Sequence, residues 1–364
     1  MQSLQIAAVI GISLIACKRE RAHQSPPQPA ASVPAVGTRT VGPELDVEHV
    51  LRTFAPLPSR FDTPANPATP EKIALGRMLY FDPRLSKSQE VSCASCHDLE
   101  RGGADVGQFS KGHQGKLGDR NSPTVFNAAG QIAQFWDGHA ATVEDQAVGP
   151  MLNPVEMAMP DPAYATRVLR SIPGYVTAFD KAFPGEKDPF TNDNIGRAIG
   201  VFERGLVTPT RFDALLAGKD DALDPAERAG LALFMRTGCT ACHQGPLVGG
   251  TMYMKLGLLE PYVNTKDQGR FDVTKREEDR MFFKVPSLRN VVDTPPYFHD
   301  GSIKDLPTAV NTMARLQLGK QLTNDETASI VTFLRVLTGK PPADYIAKPK
   351  LPPSGPRTPK PDRT

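Results

Sequence analysis

Two pentapeptides carry the most specific chemistry in the sequence: Cys93-Ala94-Ser95-Cys96-His97 and Cys239-Thr240-Ala241-Cys242-His243. In a CxxCH unit both thiols add to the vinyl groups of haem, and the adjacent histidine coordinates the iron from one face. A zinc site or a dithiol redox pair also uses CxxC, but neither calls for a histidine directly after both copies. The pattern predicts two covalently bound haem c groups, attached through Cys93, Cys96, Cys239 and Cys242, with His97 and His243 as proximal ligands.

Each iron then takes a sixth ligand or keeps an open face, and that choice separates an electron carrier from a catalyst. His23 and His49 lie in or at the end of a proline-rich stretch and are poor candidates. His113, in Gly112-His113-Gln114, falls sixteen residues beyond His97 in a loop where a buried-core role is unattractive; it is the candidate for the first iron. Met313, within Thr312-Met313-Ala314, is the candidate for the second. A thioether there raises the reduction potential relative to a second histidine, and an ordinary core methionine is the alternative.

The elements that must position these residues read as helices. Ile73, Leu75, Met78 and Leu79 precede the first motif, and Leu231, Leu233 and Phe234 the second, at helical spacing. Asp224-Pro225-Ala226-Glu227 combines an N-cap, a proline at the first helical position and an acid three residues after the cap. Thr323-Asn324-Asp325-Glu326 opens a closing helix through Ile330–Leu337 in the same way. No run of alternating strands stands out.

The two halves repeat. Ser122-Pro123-Thr124-Val125-Phe126-Asn127 parallels Pro286-Ser287-Leu288-Arg289-Asn290, and Phe135-Trp136-Asp137-Gly138 parallels Phe298-His299-Asp300-Gly301. The expected fold is mainly α: two cytochrome c-like domains, each with one haem c, related by internal duplication. The first spans 47–215 and the second 216–345, with the second's extra residues inside 249–280. In this alignment Met151 falls opposite Met313, so it competes with His113 for the first iron.

With 42 basic and 40 acidic residues the net charge is +2, which gives no bias toward polyanions and sets nucleic acid aside as a partner. The apolar run from Ile6 to Ala16 ends in Leu14-Ile15-Ala16-Cys17, like the lipobox of a bacterial lipoprotein, although no Lys or Arg precedes it. The run is too short to span a bilayer. Residues 1–17 are expected to be a signal peptide whose removal leaves Cys17 acylated; a secretory signal with an incidental cysteine is the alternative. Either way the address is the cell envelope, the periplasm of a Gram-negative bacterium. Residues 18–46 read as a Pro/Ala-rich tether, and 346–364 as a Pro-rich tail, disordered or draped on the surface.

Taken together, these motifs resemble the bacterial di-haem cytochrome c peroxidases over about residues 70–340. The resemblance rests on both CxxCH units, Gly112-His113, Asn121-Ser122-Pro123-Thr124, Gln134-Phe135-Trp136-Asp137-Gly138, Asn153-Pro154-Val155-Glu156-Met157, Pro295-Pro296-Tyr297-Phe298-His299-Asp300-Gly301, and Met313 with Gln317-Leu318-Gly319. It implies a peroxidatic haem on His97, with His113 as a distal ligand that leaves on activation, and Gln146 and Glu156 lining the pocket. A carboxylate there moves a proton between the peroxide oxygens. The resemblance further implies electron entry at the haem held by His243 and Met313, with Trp136 between the haems. It also implies a calcium ion at Asn121 and the carbonyls of Thr294 and Pro296, and a homodimer. The implied reaction reduces hydrogen peroxide to water with electrons from a small cytochrome c or cupredoxin. Two other classes compete: a di-haem electron-transfer cytochrome without substrate, and a di-haem oxidase acting on a protein or quinol. Glu156 and Gln146 argue against a pure carrier. Met313 argues against the tryptophan-modifying relatives of methylamine utilisation, which use tyrosine there.

Overall fold

A computed structural model describes residues 45–364; the signal-like segment, Cys17 and all but the end of the tether lie outside the described residues. The chain opens with α1 (Val47–Thr53), started by Asp46, whose carboxylate accepts from the His49 N–H. In α2 (Pro70–Phe81), Thr69 caps and Pro70 occupies the first turn. Then follow α3 (Val143–Leu152), α4 (Pro162–Arg170), α5 (Pro173–Ala182), α6 (Asn192–Glu203), α7 (Arg211–Leu216), α8 (Pro225–Thr237), α9 (Leu306–Leu318) and α10 (Asn324–Val336). Both capping boxes read from the sequence form: Asp224 with Glu227 starts α8, and Thr323 with Glu326 starts α10.

The two helices that lead into the CxxCH motifs are each seated by a glycine. A Cβ on Gly76 of α2 would stand 1.9 Å from the Ala198 carbonyl oxygen of α6, and a Cβ on Gly230 of α8 would stand 2.2 Å from the Ser329 carbonyl oxygen of α10. Backbones this close exclude any side chain at the crossing. Leu75, Leu79 and Tyr80 thereby meet Ile195, Ile199 and Phe202 in one apolar core. Leu231 and Phe234 meet Ile330, Phe333 and Leu334 in another.

The repeat extends to backbone conformation. Asn127 and Asn290 both adopt the left-handed region, as do Phe135 and Phe298 eight residues further on. The two asparagines converge on buried Thr208: Asn127 Nδ2 donates to Thr208 Oγ1 at 2.7 Å, and that hydroxyl donates to Asn290 Oδ1 at 2.8 Å. The only sheet among the described residues pairs β1 (Tyr253–Lys255) antiparallel to β2 (Phe282–Lys284), with Met254 opposite Phe283.

The ends of the described chain cross over. Leu45, Val50 and Phe54 pack with Phe212 and Leu231 in the second core, whereas Ile346 and Tyr345 pack in the first. The Tyr345 ring stacks on Phe202, and its hydroxyl donates to the Phe202 carbonyl at 2.7 Å. Beyond them the Pro-rich tail lies along the surface of the first half: Arg84 donates to Ser354 Oγ, and Asp362 N donates to the Lys87 carbonyl.

Candidate functional site: two haem-attachment motifs and the segment between them

The first motif is a single helical turn, Cys93–Cys96, whose start is braced by the Ser92 N–H donating to Ser95 Oγ at 3.0 Å. Tyr80, delivered by α2, donates its hydroxyl to the His97 carbonyl at 2.6 Å. The His97 ring turns its Nδ1 to the Pro123 carbonyl at 3.0 Å. A donating Nδ1 fixes the tautomer and leaves Nε2 with the lone pair that a metal needs. Burial pushes this imidazole below its usual pKa, with the Pro123 carbonyl opposing, so the neutral form is favoured.

The second motif repeats this. His243 Nδ1 faces the Val248 carbonyl at 3.2 Å, and burial takes the ring down to about 4. Gly249 lies directly beneath: with φ +132°, its Cβ would sit 2.2 Å from the Pro286 carbonyl oxygen and 3.2 Å from His243 Nδ1. Cys239, Cys242, His243 and Met313 line one cavity of about 250 Å³, otherwise walled mainly by apolar side chains such as Leu288, Leu306, Val310 and Leu334. All four CxxCH thiols are free, and burial pushes that of Cys239 up to about 12. Two unpaired thiols, a neutral imidazole with its outer nitrogen available and a thioether on one apolar cavity fit haem c. At the first motif the thiols and imidazole fit equally.

Around the first motif, the His113 loop is pressed onto the Glu156 segment. A Cβ on Gly112 would stand 2.1 Å from the Val155 carbonyl oxygen, and His113 N donates to the Glu156 carbonyl at 2.7 Å. The His113 imidazole is 3 % exposed. Its Nε2 meets the Thr364 main-chain oxygen at 3.2 Å, and its Nδ1 has no partner. The Glu156 carboxyl is held above its usual pKa by burial and by Asp119, with His139 opposing, and its charge reaches the Cys93 and Cys96 thiols. Gln146 is half-buried on α3, one turn before the fully buried Met151, which packs in the first core beside Met157 and Met159.

Trp136 lines the cavity of the second motif. Its Nε1 donates to the Asn121 carbonyl at 2.8 Å, and its own carbonyl accepts from Lys284 N at 2.7 Å. The same cavity is lined by Pro123, whose carbonyl holds His97, so its wall runs from Met313 to the back of the first motif. Asn121, Thr294 and Pro296 line the same cavity. An ionic clamp secures this region: Arg120 meets Asp137 at 2.5 Å and Asp267 at 2.6 Å, and Asp137 also meets His139 Nδ1 at 2.6 Å.

Three buried ionisable groups here have no role assigned from the sequence. Lys284 lines the cavity, and burial takes it down to about 7, with Asp137 opposing. His299 is stacked on Phe283, and its buried Nε2 is unpartnered. Glu203, on α6, is pushed up to about 8 by burial and by Glu144. A lysine inside Phe282-Phe283-Lys284-Val285 is the only one of the three with a local signal.

The helical fold and its two CxxCH sites define a c-type cytochrome built for two haems. Comparison with known proteins places it more narrowly. Residues 70–221 match the family model described as di-haem cytochrome c peroxidase. The chain is 47% identical over 303 residues to the cytochrome c551 peroxidase of Nitrosomonas europaea, covering 82% of this chain and 89% of that protein. It is 45% identical over 314 residues to the cytochrome c551 peroxidase of Pseudomonas aeruginosa, covering 85% and 90%. Among solved structures, a MauG-like protein associated with microbial copper homeostasis superposes with a TM-score of 0.73 at 27% identity, over 80% of this chain and 97% of that one. The chain belongs to the di-haem cytochrome c peroxidase family.

Proposed function

We propose that the protein reduces hydrogen peroxide to two molecules of water, taking up two protons and two electrons supplied by a small c-type cytochrome or cupredoxin. The observation that carries this reading is the junction of the His113 loop with Glu156 beside the first CxxCH motif, sealed by the 2.7 Å bond from His113 N to the Glu156 carbonyl. When bound, the haems supply one-electron redox chemistry and, at His97, a coordination site for peroxide.

His97 and His243 would hold the two haem irons, each ring oriented by a backbone carbonyl on Nδ1. His113 is the displaceable distal group. Glu156 takes the proton from one peroxide oxygen and returns it to the other, and burial, with Asp119, raises its carboxyl above the ordinary value. Gln146 orients peroxide. Met313 would help hold the second haem, where electrons would enter, and Trp136 would serve transfer toward the first. The side-chain oxygen of Asn121 with the carbonyls of Thr294 and Pro296 would suit calcium, a hard cation that prefers neutral and anionic oxygens. A periplasmic location, anchorage through acylated Cys17 and a homodimer complete the reading. None of the described helices is long and apolar enough to cross a membrane.

The test is Glu156→Gln in the holoprotein, which should cut peroxide turnover by roughly 10²–10⁴ while leaving both haem spectra in place. Turnover within threefold of the parent would remove Glu156 from this role. Failure of one-electron-reduced parent protein to consume peroxide with a cytochrome donor would sink the peroxidase reading itself.

A further inference from the structure

The cavity of the second motif carries one cation that no carboxylate of its lining answers. Among the described residues that line it there is no Asp, Glu or Arg, and Lys284 is the only lysine. Lys284 is fixed on β2 from both sides: its N–H donates to the Trp136 carbonyl at 2.7 Å, and it stands opposite Tyr253 of β1. The residue is 6% exposed, and the hydrogen-bond partner of its Nζ among the described residues is Gln131 Oε1.

Gln131 is itself built in. Gly250, at φ +73°, approaches so closely that a Cβ there would stand 3.0 Å from Gln131 Cγ. Gly250 N donates to the Val285 carbonyl, and the Gly250 carbonyl accepts from Ile132 N, each at 2.9 Å. Segments 131–132, 250 and 284–285 are thereby stitched into one stretch of cavity wall, with Gln131 from the first half and Lys284 from the second. A carboxamide oxygen gives an ammonium a dipole but no charge. Asp137 is the carboxylate whose field reaches Lys284, and it is already committed to Arg120 and His139. A buried ammonium without an anion is costly, and burial here favours the neutral amine. The group that fits this otherwise mainly apolar cavity, haem c, brings two propionate carboxylates.

We propose that Lys284, presented by Gln131, anchors a propionate of the second haem and that its positive charge holds that haem's reduction potential up. The inference rests on the reading of this cavity as the second haem c site. A nearby cation favours the reduced haem, which carries one more electron, and a wall this dry screens the charge little. Lys284 thus tunes electron entry without touching the iron.

The test is a spectroelectrochemical titration of both haems in four holoproteins: the full chain, Lys284→Met, Lys284→Arg and Gln131→Leu. Lys284→Met should lower the second haem's reduction equilibrium constant at least tenfold, about 59 mV for one electron, and leave the first haem within twofold of the parent. Lys284→Arg, which keeps the charge, should stay within threefold of the parent at both haems. Gln131→Leu keeps the charge but loosens its placement; it should lower the second haem's constant two- to fivefold and provides the reading if Lys284→Met fails to fold. Redox-induced infrared difference spectra report the propionate carboxylates directly, and their band should move in Lys284→Met and return in Lys284→Arg. A second-haem constant within twofold of the parent in both Lys284→Met and Gln131→Leu overturns the proposal, as does a shift that falls on the first haem or a Lys284→Arg protein as low as Lys284→Met. A parent chain with a single covalent haem by pyridine haemochrome assay would overturn the reading of the cavity, and the proposal with it.

Discussion

Replacing Arg120 with alanine should expose how much of the region between the motifs depends on one guanidinium. Arg120 spans two carboxylates, meeting Asp137 at 2.5 Å and clasping Asp267 through two nitrogens at 2.6 and 2.7 Å. Its side chain is 20% exposed and those of Asp137 and Asp267 are 7% and 17% exposed, so solvent screens the pairs only in part. Although burial opposes ionisation, the His139 hydrogen bond and the Arg120 charge hold the Asp137 carboxyl at about 2 against an ordinary 3.8. That difference corresponds to about 2.5 kcal/mol of stability at neutral pH. His139 supplies part of it, while loss of Arg120 also leaves Asp267 unpaired beside Asp137. The net expected loss is about 2–4 kcal/mol, below the upper range for a fully buried pair. Because the folded-state pKa of Asp137 is depressed, its contribution is complete above pH 3.8 and disappears as pH falls through about 2. Urea unfolding of the holoprotein by far-ultraviolet circular dichroism, at pH 7 and stepwise down to pH 2, reads the difference. The deficit of Arg120→Ala should shrink across the acid limb, and Arg120→Lys, which keeps charge but loses the fork, should recover about half of it. A deficit under 1 kcal/mol at pH 7, or one unchanged at pH 2, would refute the reasoning.

Three further outcomes follow from the site geometry. Gly249→Ala forces a Cβ to 2.2 Å from the Pro286 carbonyl at a positive φ; it should cost about 2–3 kcal/mol in thermal unfolding and shift the second haem's midpoint potential, whereas an unperturbed potential would show that His243 is not seated by this glycine. Gly112→Ala should lift the His113 loop from Glu156, lowering peroxide turnover at least tenfold at a stability cost of about 1–3 kcal/mol; full turnover would dissociate the loop from the reaction. Met313→His should lower the second haem's potential by roughly 0.1–0.3 V within the roughly 0.8 V that axial ligands span, measured by spectroelectrochemistry, and an unchanged potential would make Met313 a core residue only.

The haem-attachment motifs, the helices that precede them and the capping boxes were legible because each is written in consecutive residues. CxxCH needs no tertiary information, and Asp224-Pro225-Ala226-Glu227 states its own helix start. The internal repeat was legible for the same reason, and its backbone counterpart in Asn127 and Asn290 follows from the left-handed conformations that asparagine tolerates. The burial of His299 and Glu203 was not legible, because burial of an ionisable group is decided by segments distant in sequence, and for Lys284 only the flanking Phe282, Phe283 and Val285 hint at it. Composition marks the tail as disordered or surface-draped; its contacts with Lys87, Gln89 and Gln114 depend on partners more than two hundred residues away, which composition cannot register.

The crossing of the chain ends bears on how the molecule is made. Val50 and Phe54 emerge early in synthesis but find their core only when Phe212, Leu231 and Phe333 exist, and the first core waits for Tyr345 and Ile346 to close it. Neither half is finished when its own CxxCH motif first becomes available. The delay leaves the thiols of both motifs accessible until the cores that cover them close. The same threading means that a cut between the halves would release two fragments, each lacking a strip of its own interior, and they would recover structure only on reassociation.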